Sequence, residues 1–374
     1  MNADVKMRRL GMIMEPKAGE ANEVEGVLNP AAVRGRDGQL YLFPRLVAKG
    51  NYSRVGIARV LFDKSGDPTG VERLGVVLEP EADYELGPDG RGGCEDPRVT
   101  YIPEFDHYVM TYTAFSRHGP RIALAVSDDL FAWRRVGLVK FHPFEGVCFD
   151  GIDNKDASLF PVQIPGPSGK PAFAMVHRPL FPGTRPEETA HRPTSRKIDP
   201  DRECIWISYC HVDGKADSHK VHQFVSHRKL ACPVAPWEIL KIGGGTPPIM
   251  SSLGWLFFYH GVHDTGQPSP TGHHLSYSAG AMVLSKTRPT HILYRSPEPV
   301  LVPEGPLEMT GTVENVVFPT GVDRRDDLGQ PDRFDVYYGM ADDRIGAASL
   351  DLKAASAAML SGQAAQRAAP DGHR

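Results

Sequence analysis

The sequence predicts an all-β chain, a five-bladed β-propeller with a short C-terminal helix. Three observations carry this. Apolar and aromatic residues come in short runs bounded by Gly, Pro, Asp and Asn, the mark of strands and turns. Amphipathic helical periodicity is scarce until the end of the chain. The strand-like runs also recur as a loose repeat at a spacing of about 65–85 residues, as about five propeller blades of four short strands each would give. With 374 residues the chain is long enough for a large buried core.

Each unit of the repeat reads as an aromatic strand, a polar loop and a strand of small residues. Leu40–Arg45 precedes Val55–Val60, and His107–Tyr112 precedes Arg121–Ser127. Pro171–Arg178 precedes Cys204–Tyr209, Gly254–His260 precedes Tyr277–Val283, and Phe334–Gly339 precedes Ile345–Leu350. Five such units, each completed to four short strands, suit a propeller whose inner strands and loops line one central pocket. A pair of β-sandwiches or a β-helix would also satisfy the strand pattern. The reading divides the chain into an N-terminal extension (1–24), the propeller (25–352) and an Ala-rich helix and tail (353–374). In that last segment Lys353–Arg367 has good helix propensity, Gly362 weakens it, and Pro370 and Gly372 end it.

Composition excludes several function classes. Hydrophobic residues are 41% and charged residues 24%, as in soluble globular proteins, and Gly (38) and Pro (33) are plentiful, which suits turns more than helices. The net charge of −4 gives no electrostatic basis for nucleic acid or an anionic membrane as partner. Near the N-terminus, Lys6, Arg8 and Arg9 precede only the apolar run Leu10–Met14, shorter than a signal peptide requires. No window approaches the ~18 apolar residues of a membrane span. The five cysteines are scattered, with no Cys-x-x-Cys pair to hold zinc, and read as reduced thiols of a cytoplasmic protein.

Four polar clusters interrupt the strands. The densest is Gly92-Gly93-Cys94-Glu95-Asp96-Pro97-Arg98, where two glycines permit a tight backbone and adjacent acids supply charge; a solvated turn with Asp96 capping an amide would explain it equally. Asp153-Asn154-Lys155-Asp156 runs into Leu159-Phe160-Pro161 and then to His177-Arg178-Pro179, a polar pair closing an apolar strand. Ile242-Gly243-Gly244-Gly245-Thr246-Pro247-Pro248 precedes Tyr259-His260-Gly261; it lacks the Lys-Ser/Thr ending and the helix of a phosphate-cradling loop. The last runs from Glu314 to Gly321 and continues in Tyr338–Asp342. His260 with His263, and His273 with His274, lack a carboxylate at ligand spacing, so no metal is expected. No Gly-x-Ser-x-Gly elbow occurs.

In this order, Asn29-Pro30-Ala31, the strand ending in Arg45, Glu95-Asp96-Pro97-Arg98, Asn154-Lys155-Asp156, His177-Arg178-Pro179, the Gly243–Pro248 run, Tyr259-His260-Gly261 and the two C-terminal motifs resemble glycoside hydrolase family 130. That family contains β-mannoside phosphorylases and some β-mannosidases. The resemblance runs from about residue 25 to 350 and implies a five-bladed propeller with a central active site. It implies Asp96 as proton donor, acting through a sugar hydroxyl, with Glu95 supporting the turn. Arg45, Arg54, Lys155, Arg178 and His260 are expected around phosphate, Arg45 being shared with the sugar. Asn29, Asp156 and Asp342 are expected on mannosyl hydroxyls. Arg98 is either part of the site or a buried partner of a carboxylate.

Inverting cleavage of a glycoside needs an acid for the departing oxygen and a nucleophile on the opposite face. A hydrolase needs a second carboxylate to activate water, whereas phosphate is already anionic and needs cationic donors to hold it. The expectation is therefore a phosphorylase acting on a β-mannoside disaccharide or oligosaccharide with inorganic phosphate as co-substrate and no cofactor. A β-mannosidase on the same scaffold and a non-catalytic sugar-binding propeller are the alternatives. A furanoside hydrolase would need three spaced acids, and Asp63, Asp96 and Glu314 fit that role poorly. Asp96 is expected in a desolvated pocket that raises its pKa, with the phosphate-binding cations opposing the shift. Thr246 before the paired prolines, and the polar insertion 180–202, depart from the commoner pattern and leave linkage and acceptor open, while the sequence is compatible with a homo-oligomer.

Overall fold

A computed structural model of the chain describes residues 5–184, 202–212, 221–267 and 274–356. Strand β1 (Arg8–Met14) comes first in the chain but is used last. Strands β2 (Gly26–Arg34), β3 (Leu40–Ala48), β4 (Tyr52–Phe62) and β5 (Pro68–Leu78) form the first antiparallel unit. The second is β6 (Gly92–Ile102), β7 (His107–Ser116), β8 (Gly119–Ser127) and β9 (Arg134–Leu138). After the short β10 (Lys140–Phe141), the third comprises β11 (Asp153–Leu159), β12 (Ile164–Pro165), β13 (Pro171–Leu180), β14 (Ile205–Cys210) and β15 (Gln223–Ala231), β12 being a small addition beside β13. The fourth holds β16 (Lys241–Gly244), β17 (Ile249–Met250), β18 (Trp255–Asp264), β19 (Leu275–Leu284) and β20 (Ile292–Arg295), with β17 likewise beside β18. In the fifth, β21 (Val317–Arg324), β22 (Arg333–Met340) and β23 (Arg344–Asp351) accept β1 as their outer strand.

These units are the blades of a five-bladed propeller. β2 packs against β21 on one side and β6 on the other, β6 against β11, β11 against β16, and β21 against β18 and β19, so the inner strands close a ring. The stretch read from sequence as an extension before the propeller thus supplies the strand that joins the two ends of the chain in one blade. Pairing β1 with β23 hides an edge that would otherwise be open to other strands.

The apolar residues explain why the ring closes. Five hydrophobic clusters each lie between two neighbouring blades. Phe43 and Val55 meet Met110 and Tyr112; Val109 and Leu124 meet Phe173 and Met175; Val176 and Ile207 meet Phe257 and Tyr259. Phe258 and Ala281 meet Val336 and Tyr338, and Tyr337 and Ala347 meet Leu42 and Val60. Consecutive side chains of a strand point to opposite faces, so Phe257 faces one neighbour and Phe258 the other. Both faces of each blade are covered, and the central strands therefore read as unbroken apolar runs. Residues 352–356 are helical, and the remainder of the expected C-terminal helix lies outside the described residues. Among the described residues no helix is long and apolar enough to cross a membrane.

Candidate active site

A backbone irregularity repeats at the hub. Register breaks between Leu28 and Ala31 in β2, between Glu95 and Arg98 in β6, and between Lys155 and Ser158 in β11. At each break one residue is left-handed: Asn29 (φ 44°), Asp96 (φ 45°) and Asp156 (φ 56°). Asn and Asp are the non-glycine residues that bear this conformation at least cost. A bulge re-aims a side chain out of the alternation of the strand. Three successive blades thereby turn an amide and two carboxylates toward the axis.

Asp96 lies at the centre of the first group. Its Oδ1 accepts from Asn29 Nδ2 at 2.9 Å and from Arg45 Nη1 at 3.3 Å. Arg45 also donates to Glu95 Oε1 at 2.8 Å, to Asn51 Oδ1 at 3.0 Å and to Ser53 Oγ at 2.9 Å, so its guanidinium holds both acids at once. Asp342 sits in the β22–β23 hairpin, where Ala341 (φ 49°) and Asp342 (φ 50°) are both left-handed. Its carboxyl is felt by Arg45, Asp96, Lys155 and Glu95.

The second group is an ion-paired cluster beside the first. Arg178 Nε donates to Asp156 Oδ2 at 2.6 Å, and Arg178 Nη1 donates to Glu203 Oε2. His260 Nε2 stands 3.7 Å from the same Asp156 oxygen. Both His260 ring nitrogens are without a hydrogen-bond partner, and the ring packs on Phe318 at 4.3 Å between centroids. Lys155 joins the two groups: it acts on Glu95, Asp96 and Asp342 in the first and on Asp156 in the second.

Arg98 belongs to the frame. It is buried and donates to three backbone carbonyls: Gly245 O (2.9 Å), Asp96 O (2.6 Å) and Gly244 O (3.3 Å). It therefore staples β6 to the end of β16 through carbonyls, and it acts on the Asp96 and Asp156 carboxylates through its charge rather than a hydrogen bond. The glycine run at β16 serves the same crowding. A Cβ on Gly243 would stand 2.2 Å from Asp156 Oδ2 and 2.3 Å from His260 Cε1, and one on Gly244 2.6 Å from Asp156 O. Only glycine lets this strand approach the bulge of its neighbour.

The sequence-predicted residues separate accordingly. Asn29, Arg45, Asp96, Lys155 and Asp342 are brought together, and Asp156, Arg178 and His260 meet directly beside them. Arg54 stands apart, its Nε donating to Glu79 Oε2 at 2.8 Å, its guanidinium over Tyr52 at 5.1 Å and its buried Nη1 unpartnered. Asp63 caps the β4–β5 turn through the Ser65 and Asp67 amides at 2.8 and 3.0 Å, outside the hub, which removes the three-carboxylate reading. His263 and His274 spend their Nδ1 atoms on the carbonyls of Trp237 and Gln267. His273 and most of the polar insertion lie outside the described residues. Among the described residues no group of three His, Cys, Asp or Glu is placed to hold a metal.

Sequence reasoning missed Glu203, which lies at the far end of the insertion with no motif around it. It also missed a buried chain behind β11: Asn154 Oδ1 to His177 Nδ1 (3.0 Å), His177 Nε2 to Ser208 Oγ (2.7 Å), Ser208 Oγ to His227 Nδ1 (2.8 Å), and His227 Nε2 donating to the His142 carbonyl (2.8 Å). This chain explains why a histidine ends an apolar strand. Burial pushes His177 well below its usual pKa, so the ring is neutral and anchors Asn154, one residue before Lys155.

Electrostatics correct one expectation. Burial pushes the Asp96 carboxyl up, but Arg45, then Arg98, the Asn29 amide and Lys155 outweigh it and hold the group below the ordinary aspartate value. The raised carboxyls are its neighbours. Burial lifts Glu95 against the pull of Arg45, and burial with repulsion from Asp96 and Glu95 lifts Asp342 to about 6. Burial also opposes ionisation of Asp156, yet Arg178, with Lys155 and Arg98, holds it well below the usual range.

Comparison with known proteins bears on this geometry. A family model described as beta-1,4-mannooligosaccharide phosphorylase, Glyco_hydro_130, matches residues 4–355. The chain is 31% identical over 358 residues to a 1,2-beta-oligomannan phosphorylase of Thermoanaerobacter sp. (strain X514), covering 93% of this chain and 98% of that protein. A beta-1,2-mannobiose phosphorylase from Listeria innocua, solved with beta-1,2-mannobiose, superposes with a TM-score of 0.66 at 23% identity, over 93% of this chain and 96% of that one. A structure from work on hydrolases of the same family that target beta-1,2 mannosidic linkages in Candida mannan gives 0.68 at 22% identity, over 94% and 95%. At such identities the two structures speak for the fold.

Proposed function

Because the chain belongs to glycoside hydrolase family 130, the family of mannoside phosphorylases, we propose that it is an inverting β-mannoside phosphorylase that uses inorganic phosphate to release α-mannose 1-phosphate. The supporting observation is a set of unspent cationic and polar donors beside one bulge-mounted aspartate. Among the described residues the Lys155 ammonium reaches Asp96 through its charge rather than a hydrogen bond, and both His260 ring nitrogens are without a partner. Such donors suit a tetrahedral oxyanion. In the proposed step a phosphate oxygen attacks the anomeric carbon, the bond to the bridging oxygen breaks on the other face, and the proton of Asp96 reaches the leaving oxygen through a mannosyl hydroxyl. Asn29, Asp156 and Asp342 would orient the mannosyl unit, and no cofactor takes part in this scheme.

A hydrolase is the second reading, and Asp342 is what favours it. Its carboxyl, raised to about 6, titrates where a general base is useful. One assay separates the two. Incubated with β-mannobiose isomers of different linkage, the protein is expected to give mannose 1-phosphate in proportion to added phosphate. Free mannose released at the same rate without phosphate would establish the hydrolase instead.

Phosphate binding and proton donation should also be coupled. Arg45 and Lys155, two of the cations that hold Asp96 low, are also expected around phosphate, and a nearby dianion disfavours a second negative charge. The Asp96 pKa should therefore rise on phosphate binding, by about one unit or more, and by linkage phosphate should bind more tightly as pH falls through that titration. Profiles of phosphorolysis against pH at low and saturating phosphate measure this. An acidic limb that stays in place at both concentrations would contradict it.

A further inference from the structure

Two of the five scattered cysteines are neighbours in the fold. The last rung between β14 and β15 pairs Ile205 with Ala231, so Cys204 and Cys232 face each other one step beyond it. The Cys204 thiol donates to the Arg202 carbonyl at 3.1 Å, the two thiols influence each other, and both pack with Phe149 and Trp206 in a small cluster. Cys204 is buried and Cys232 is half-buried, so a reagent from solvent meets Cys232 first. Cys204 is also covalently next to Glu203, the residue whose carboxylate holds Arg178. The Glu203 carbonyl accepts from the Ile242 amide at 3.2 Å at the start of β16, and the Cys232 carbonyl accepts from Arg295 Nη1 at 2.8 Å. The backbone on each side is thus tied to the hub or its surroundings.

We propose that Cys204 and Cys232 are a reversible disulfide site, closed by exchange with a small-molecule disulfide, and that closure pulls Glu203 away from Arg178 and lowers turnover. The Cys232 thiolate attacks one sulfur of the reagent and expels the first small thiol. The Cys204 sulfur then attacks Cys232 in the mixed disulfide and expels the second. Two sulfur–hydrogen bonds are lost and one sulfur–sulfur bond forms, while the two electrons and two protons end on the two released thiols. Two facing thiols, one of them half-buried, meet the requirement for reversible exchange, a resolving cysteine beside the attacking one. The coupling to turnover rests on the reading of the hub given above, whereas bond formation does not.

The test uses the full chain carrying Cys148→Ser, which removes the exposed thiol, treated with oxidised glutathione. Intact-protein mass should fall by two hydrogens with no retained glutathione, two thiols should become unreactive, and dithiothreitol should reverse both changes. Cys204→Ser and Cys232→Ser should each abolish the loss, and Cys232→Ser should prevent the adduct on this pair. A mixed disulfide that never closes, or two thiols that stay titratable, overturns the site. Phosphorolysis should fall at least several-fold in the closed form and recover on reduction. Closure with unchanged turnover overturns the link through Glu203. The mass and thiol measurements need no turnover, so they stand or fall separately from the assignment of phosphorolysis.

Discussion

Asp96→Asn should lower kcat by about 10²–10⁴-fold, the usual worth of a positioned general acid, while leaving the fold and the binding of the mannoside nearly intact. The local structure is what makes this variant informative. Asn tolerates the left-handed φ of 45° that the bulge imposes, and its Oδ1 can still accept from Asn29 and Arg45. Only the transferable proton and the negative charge are removed. Loss of that charge also removes a repulsion toward phosphate, so the KM for phosphate should hold or fall. Circular dichroism and denaturant unfolding would check the fold, and initial rates in both substrates would separate the constants. A large rise in the mannoside KM with kcat unchanged would make Asp96 a binding residue. If Asp342→Asn were as damaging as Asp96→Asn and turnover ignored phosphate, the hydrolytic reading would prevail.

The propeller was legible because its second and third strands are apolar on both faces. The five aromatic runs are β3, β7, β13, β18 and β22, and the small-residue runs are β4, β8, β14, β19 and β23. The inner strands were visible as chemistry rather than as strands, since β2, β6 and β11 carry Asn29, Asp96 and Asp156 where a strand would normally be apolar. Their bulges were not legible. A residue before proline is expected to be extended, yet Asn29 and Asp96, each followed by proline, are left-handed. Strand-to-strand pairing at the hub overrides the local preference. Arg98 was ambiguous because nothing in its neighbourhood reveals three carbonyls, two of which come from a strand more than 140 positions away. The low setting of Asp96 followed from the same blindness: burial can be guessed from a motif, but the number of cations converging on it needs the ring to be closed. Glu203 was invisible for the opposite reason, a lone acid whose only mark is the arginine it meets.

Arg178→Ala should destabilise the protein by about 3–5 kcal/mol, the cost of leaving buried charge without its partner. Two carboxylates depend on this guanidinium, Asp156 and Glu203, whose side chains are 1% and 2% exposed. His260 would not replace it, because burial holds its pKa well below the ordinary histidine value and keeps the ring neutral. The loss should also have a pH signature. In the wild type Asp156 titrates below its unfolded value, so its contribution is present above the usual carboxylate range and disappears as pH falls toward the depressed pKa. Without Arg178, desolvation dominates and the folded-state pKa moves above the unfolded one. The variant should then lose stability as pH rises through the raised pKa, and its deficit against wild type should be larger at pH 8 than at pH 4. Arg178→Lys, which keeps one charge but not the fork that reaches both acids, should fall between the two. Denaturant midpoints across that pH range measure the effect. If Arg178→Ala unfolded at the wild-type midpoint and raised only the KM for phosphate, the arginine would be a phosphate ligand first. The two ion pairs would then be its resting arrangement rather than part of what holds β11, β13 and the Glu203 segment together.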